Sequence, residues 1–345
     1  MDHVNAPLLD VQNLGAYIPT ARGIIRPVDG VSFQVREGEV VALVGESGSG
    51  KSVTAMSILR LNAKVIRYTP ESRILYKGND LLSLKDREIR KIRGAEISMI
   101  FQDPMFSLNP VHRIGRQIAE SLIIHRGMKP KEALEMALDL LNKVGIPDAK
   151  NRINNYPHQL SGGMRQRVMI ALALACRPKL IIADEPTTAL DVSIQAQILD
   201  LLRELQREHN LSILLITHDL GVVAETADRV LVMYCGKIVE EGTVETIFRR
   251  PQHPYTKGLI ESVPRLHGPI GKRLHAIPGT VPNPLELPEG CKFVTRCGYA
   301  SEQCAWREPA LAELGLESRA ACWHPLNLQG GTASENGTAR IHLER

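Results

Sequence analysis

The sequence predicts an α/β fold: a parallel sheet with helical crossovers, entered through antiparallel strands and followed by a cysteine-containing C-terminal extension. Three observations carry that prediction. Val40–Val44, Leu180–Ala183 and Ser212–Ile216 are short unbroken apolar runs, the pattern of strands buried on both faces. Between the second and third runs, Ile194, Ile198, Leu201, Leu202 and Leu205 recur at helical spacing, and strand–helix–strand implies parallel pairing through a right-handed crossover. From about Arg249 the texture changes, because Pro251, Pro254, Pro264, Pro269, Pro278, Pro282, Pro284 and Pro288 break every long element.

Taken in order, the segment from Leu8 to Val35 alternates apolar and polar residues between turns and reads as antiparallel strands. Val40–Val44 runs directly into a glycine-rich turn, after which a helix is expected from Ser52, because Val53, Met56 and Leu59 fall on one face. Leu134, Leu138, Leu141 and Val144 mark an amphipathic helix over Lys131–Val144, stopped by Gly145. The stretch after about Gln329 is rich in Gly, Ser and Thr and is expected to be a mobile tail.

Length and charge narrow the function classes. With 345 residues the chain holds one large domain, or one of ordinary size plus an extension. Its 42 basic and 38 acidic residues nearly balance, so bulk electrostatics give no reason to expect nucleic acid as a partner. The polar start Met1–Asn5 lacks the basic and apolar regions of a secretory signal, and a cytosolic protein is expected. The longest apolar run, Val168–Cys176, falls far short of the roughly 20 residues that span a bilayer. Work at a membrane would therefore need another chain as anchor. Cys176 and Cys235 stand alone, whereas Cys291, Cys297, Cys304 and Cys322 cluster, which in a cytosolic protein points to metal more than to disulfides.

The chemistry begins at Gly45-Glu46-Ser47-Gly48-Ser49-Gly50-Lys51-Ser52, a P-loop pattern set between a buried strand and a helix start. Gly45, Gly48 and Gly50 let backbone N–H groups turn toward phosphate oxygens, Lys51 neutralises terminal phosphates, and Ser52 suits a magnesium ion. The helix N-terminus adds its own positive end. A glycine turn that merely joins strand to helix is the plainer alternative, and the full pattern in this context argues against it. Asp184 and Glu185 end a buried strand, at the sheet edge where open α/β sheets bind ligands. Asp184 suits a water-mediated magnesium contact, and Glu185 suits orienting and deprotonating an attacking water; by itself such a pair is as often a helix cap.

Leu160-Ser161-Gly162-Gly163-Met164 resembles the signature motif of the ATP-binding-cassette family. Further marks of that family stand in order: Gln102 in Phe101-Gln102-Asp103-Pro104, Ala189-Leu190-Asp191, and His218 after Thr217. The resemblance implies a P-loop NTPase core of the RecA-like type, with an antiparallel β subdomain and a helical subdomain at about 103–160. The nucleotide-binding domain would then cover 1–250 and the extension 251–345. It also implies ATP and magnesium as ligands, and two cassettes paired head to tail. Ser161, with Gly162 and Gly163, would reach the γ-phosphate held by the other subunit. His218 would contact the γ-phosphate, Gln102 would ligate magnesium, Asp191 would steady the dimer contact and Tyr17 would stack on adenine, although Tyr17 reads equally as a plain sheet residue. One position departs from the pattern: Met164 stands where Gln is usual, and Met offers no amide hydrogen bonds.

Ser107-Leu108-Asn109-Pro110, Tyr156-Pro157-His158-Gln159 and His253-Pro254-Tyr255-Thr256 resemble the dipeptide, oligopeptide and nickel importer branch of the family. That likeness implies an ATPase subunit at the cytoplasmic face of the inner membrane, with a second cassette that is a paralogue, two permeases and a solute-binding protein. The helical subdomain would receive a permease's coupling helix. Nickel, glutathione or another small solute remains an alternative cargo, and a soluble cassette ATPase of DNA repair or translation is the alternative of another class. The single P-loop and single signature argue against the latter. The spacing Cys291-x5-Cys297-x6-Cys304-x17-Cys322 has a first gap wider than zinc knuckles use. In the branch it resembles, a similar tail ligates a [4Fe–4S] cluster; zinc and no metal stay open, and His324 reads as a surface residue.

Overall fold

The computed structural model describes residues 6–103, 107–188, 190–263, 276–315 and 317–327. Pro104, Ala189, Pro264, Pro269 and the tail expected after Gln329 lie outside the described residues.

Two sheets organise the chain. In the first, β1 (Leu9–Thr20) pairs antiparallel with β2 (Gly23–Val35) on one side and with β4 (Arg67–Tyr68) and β5 (Arg73–Tyr76) on the other, and β6 (Asn79–Asp80) closes on β5. The second sheet has eight strands in the order β12-β13-β11-β10-β3-β9-β8-β7. Its centre is parallel: β10 (Arg229–Tyr234), β3 (Val40–Val44), β9 (Ser212–Thr217), β8 (Leu180–Asp184) and β7 (Ile97–Ile100). Antiparallel β11 (Lys237–Thr243), β13 (Arg319–Ala320) and β12 (Ala312–Glu313) finish one edge. All residues of β3, β8 and β9 are buried, which explains their unbroken apolar texture.

The first helices are α1 (Lys51–Ile58) and α2 (Asp86–Ile92), followed by a helical group of α3 (Ile114–Arg126), α4 (Pro130–Lys143), α5 (Ala149–Arg152) and α6 (Gly162–Leu174). Then come α7 (Val192–His209), α8 (Leu220–Thr226), α9 (Val244–Arg249), α10 (Pro254–Glu261) and α11 (Glu302–Trp306). One core joins α3, α4, α6 and α7 to the sheet through Ile118, Leu141, Ile170, Ile181, Ile198 and Leu215. A second fills the space between the two sheets with Leu14, Phe33, Ile58, Leu43 and Leu214.

Two helices bury small residues alongside large ones. In α1 the buried residues are Lys51, Thr54, Ala55, Ser57 and Ile58, while Val53 and Met56 are half-buried. The helix lies in the layer between the sheets, where small side chains permit close approach, and Leu59 and half-buried Val53 pack on the same core. In α4 the buried line is Ala133, Ala137 and Leu141, and Leu134 is 45% exposed. Here too alanines admit the neighbouring helices and the bulkier leucine faces out.

Beyond Arg249 the chain stays on the sheet. Tyr255 and Phe293 join Val44, Val232, Tyr234 and Val239 in a third core, and β13 covers the edge of β11. Ion pairs tie the same seam: Arg229 reaches Glu39 at 2.9 Å and also Glu241, which is in turn paired with Arg319.

Candidate active site

The P-loop lies at the C-terminal end of β3 and opens α1, and its glycines are required by their surroundings. A Cβ on Gly45 would sit 2.1 Å from the Met233 carbonyl oxygen, and one on Gly50, at φ +106°, would sit 2.0 Å from that of Pro27. No side chain fits either place. The loop is fixed from the β10–β11 turn as well, where Gly236 N donates to Ser49 O at 2.9 Å. Lys51 is buried and its Nζ donates to the carbonyls of Gly45 at 2.8 Å and Glu46 at 3.0 Å. Burial lowers its pKa, and the charges of Glu185, Asp184 and Glu46 only partly offset this.

The end of β8 brings the carboxylates to the loop. Ser52 Oγ donates to Asp184 Oδ1 at 3.2 Å, and burial raises the Asp184 pKa despite that bond. Serine hydroxyl and carboxylate are hard oxygen donors, and their adjacency fits a magnesium ion. Glu185 has a left-handed backbone, φ 47°, pinned by its N–H donating to Ile216 O at 2.8 Å. Its carboxylate is the hub of the site. Oε2 accepts from Gln102 Nε2 at 3.0 Å and from Thr188 Oγ1 at 2.8 Å, while Oε1 lies 3.2 Å from His218 Nδ1. Burial would raise the Glu185 pKa, but hydrogen bonds from Thr188 and His218 and the nearby positive charges outweigh it, leaving the group lowered and ionised.

The structure thus gathers Gly45 through Ser52, Gln102, Asp184, Glu185 and His218 at one sheet edge. Ser161, Gly162, Gly163, Asp191 and Tyr17 occupy other places. Ser161 is the exposed N-cap of α6, its Oγ accepting from Met164 N at 3.4 Å. Gly163 is where α6 meets α7, since a Cβ there would lie 2.7 Å from Ile194 Cγ2. Asp191 caps α7 by accepting from that same Ile194 N at 3.0 Å. Met164 packs on the helical core, an apolar use for the position that departs from the usual Gln. Tyr17 lines a concavity with Arg26, Val28 and Thr69, next in chain to the Pro27 that abuts Gly50.

Three residues of the site escaped the sequence reading. Thr188 carried a local signal, a hydroxyl three residues after the carboxylate in a turn. Tyr255 and Arg296 contact Glu46 from more than 200 positions away, at separations of 209 and 250 residues, which no local pattern reveals.

The four clustered cysteines line one cavity together with Phe293, Tyr299, Trp323, His253 and His324. Burial pushes the Cys297 thiol up to about 11 and Cys322 up to about 12, with the neighbouring cysteines adding to both; Cys291 is also raised, chiefly by burial. His324 Nε2 is hydrogen-bonded with Ser301 Oγ at 2.7 Å. Among the described residues no three His, Cys, Asp or Glu side chains close on a single metal ion. Thiols are soft donors, and four of them facing one space is a donor set of the kind that zinc and iron–sulfur groups both take.

Residues 28–188 match the ABC transporter family, and residues 239–304 match the oligopeptide/dipeptide transporter C-terminal region. The oligopeptide transport ATP-binding protein AppD of Bacillus subtilis is 55% identical over 88% of this chain and 92% of its own. The dipeptide transport ATP-binding protein DppD of Haemophilus influenzae is 50% identical over 96% of this chain and 99% of its own. Among solved structures, the dimeric post-hydrolysis state of the ATP-binding cassette MJ0796 bound to ADP and Pi superposes with a TM-score of 0.62 at 32% identity, covering 68% of this chain and 98% of that one.

Proposed function

Because the chain belongs to the ABC transporter ATPases of the oligopeptide/dipeptide importer type, we propose that it energises the import of di- or oligopeptides by hydrolysing ATP at Glu185. The observation that carries the catalytic half is the convergence of Gln102, Thr188 and His218 on the Glu185 carboxylate beside the P-loop. The cargo is inferred from relatives that are named for oligopeptide and dipeptide transport.

In the proposed mechanism the amides of the P-loop and Lys51 hold the phosphates, and Glu185 accepts a proton from the attacking water. The water oxygen bonds to the γ-phosphorus as the bond to the ADP oxygen breaks, and ADP leaves with that electron pair. Thr188 and His218 hold the carboxylate in the ionised form that can take the proton. Ser52, Asp184 and Gln102 would hold magnesium, which supplies positive charge to the phosphate oxygens. Completion of the site falls to a second cassette, a paralogue, whose region equivalent to Ser161, Gly162 and Gly163 closes over the nucleotide. The exposure of Ser161 at a helix N-terminus and the likeness to a dimeric cassette holding ADP and Pi support this.

Two permeases and a solute-binding protein complete the proposed assembly, with this subunit peripheral at the cytoplasmic face of the inner membrane. Among the described residues no helix is long and apolar enough to cross a membrane, so attachment would come from the permeases. Cys291, Cys297, Cys304 and Cys322 would hold a [4Fe–4S] cluster that staples the extension. Iron and sulfide analysis of anaerobically purified protein checks this; a colourless protein carrying zinc contradicts it.

Uptake of labelled dipeptides by a strain lacking the chain tests the whole reading. Complementation by the parent restores uptake. Glu185→Gln keeps ATP binding in the assembled complex and lowers turnover at least about a hundredfold. Undiminished hydrolysis in that variant removes Glu185 from the mechanism.

A further inference from the structure

The P-loop is held by residues of the C-terminal extension that the hydrolysis chemistry does not use. Glu46, directly after Gly45, is gripped twice. Its backbone N–H donates to Tyr255 Oη at 2.8 Å. Its carboxylate accepts a paired set from Arg296, Nη1 to Oε2 at 2.6 Å and Nη2 to Oε1 at 3.0 Å. This is the planar two-point fork that guanidinium forms with carboxylate and that lysine does not reproduce.

Both grips are themselves immobilised. Tyr255 is fully buried, with its ring centre 4.6 Å from that of Tyr234 and 5.4 Å from that of Phe293. The Arg296 side chain is 4% exposed; its Nε donates to Pro278 O at 2.9 Å and its guanidinium lies 5.8 Å from the ring centres of Tyr234 and Phe293. The turn that carries Arg296 is braced by Val294 N donating to Cys291 O at 3.0 Å and by Cys291 N donating to Cys304 O at 2.8 Å.

We propose that Arg296 and Tyr255 are positioning residues for phosphate binding, so that the extension sets the nucleotide affinity of the loop. The proposal rests on the reading that this loop binds ATP. A phosphate cradle binds well when its N–H donors are aimed in advance, because ordering them on binding subtracts from affinity. Anchoring both the N–H and the carboxylate of Glu46 fixes the first turn of the cradle, and leaves the groups around Glu185 unaltered.

The test uses the full-length chain for binding of a fluorescent ATP analogue with magnesium, and the assembled transporter for kcat and KM. Tyr255→Phe deletes one hydroxyl, and Arg296→Lys keeps the charge while losing the fork. Each is expected to raise Kd and KM for ATP about 3- to 10-fold, with kcat within about twofold of the parent. Amide hydrogen exchange over residues 46–51 should quicken in both variants while exchange in β3 stays unchanged, and Arg296→Gln should be worse than Arg296→Lys. Unchanged affinity in Tyr255→Phe and Arg296→Lys overturns the proposal, as does a loss confined to kcat. If the arginine variants do not fold, Tyr255→Phe, which removes a single hydroxyl, decides by the same criteria. Lys51→Ala separates the two readings: if it binds nucleotide like the parent, the assignment of the loop fails, whereas if it alone loses binding, only the positioning role fails.

Discussion

At the scale of single residues, the proposed mechanism depends on one carboxylate being both ionised and aimed. Glu185 is partly desolvated, which opposes its charge, yet donors at Thr188 and His218 bring its pKa below the ordinary carboxylate value. A folded-state pKa held low means that this group stabilises the fold above its unfolded value and loses that contribution as pH falls through the folded value. The same ionised form is the one able to accept a proton. Thr188→Val removes the 2.8 Å hydrogen bond without changing side-chain size much, so the Glu185 pKa should rise toward its ordinary value. The expected outcome is an acid limb of the kcat–pH profile displaced to higher pH, with the alkaline limb unmoved. An unshifted acid limb would separate Thr188 from the base.

At the scale of elements, what was legible in the sequence follows from how local the determinant is. The P-loop and the pair Asp184–Glu185 were readable because each is a contiguous string at a strand end, where the fold obliges ligand-binding groups to gather. Burial of β3, β8 and β9 was readable from their unbroken apolar runs. The helix faces were readable in part: Leu59, Leu141 and Val144 are buried as their spacing suggests, whereas the tight contacts of Thr54, Ala55, Ala133 and Ala137 leave little mark in a periodicity weighted by size, and Leu134 faces out. Contacts of Tyr255 and Arg296 with Glu46 were invisible for another reason: they cross the length of the chain. Between β11 and α10 a further element-scale device appears. Buried Glu240 accepts the N–H groups of Gln252 at 2.6 Å and His253 at 2.8 Å, organising the entry to α10. Burial nevertheless raises its pKa above the ordinary carboxylate value, outweighing the bonds from Thr256, Gln252 and His253. The native state therefore holds its proton longer than the unfolded chain does, so this group's contribution to stability declines as pH rises from the unfolded value through the folded one. Urea titrations from about pH 5 to about pH 8 should show that decline in the parent and a flatter profile in Glu240→Gln.

At the scale of the whole molecule, the cassette and the extension share a core, an edge and contacts at the P-loop. Tyr255 and Phe293 pack on Tyr234, Val232 and Val239 of the main sheet, β13 pairs with β11, and Arg319 partners the buried Glu241. Two aromatic side chains of this kind each bury about 150–250 Å², which makes their removal a matter of several kcal/mol. A chain ended at Arg250 would uncover the β11 edge, expose Tyr234 and Val239, strip Glu241 of one of its two arginines and leave Glu46 without either grip. Its expected behaviour is a lowered Tm, aggregation at concentrations where the parent stays dispersed, and weakened ATP binding, as read by calorimetry, light scattering and nucleotide titration. Loss of stability alone would also weaken binding, so the discriminating comparison is Tyr255→Phe in the full-length chain, which leaves the core and the edge in place. If the shortened chain remained monodisperse and bound ATP as the parent does, the extension would be a separate attachment, and its contacts with the P-loop would be incidental to nucleotide affinity.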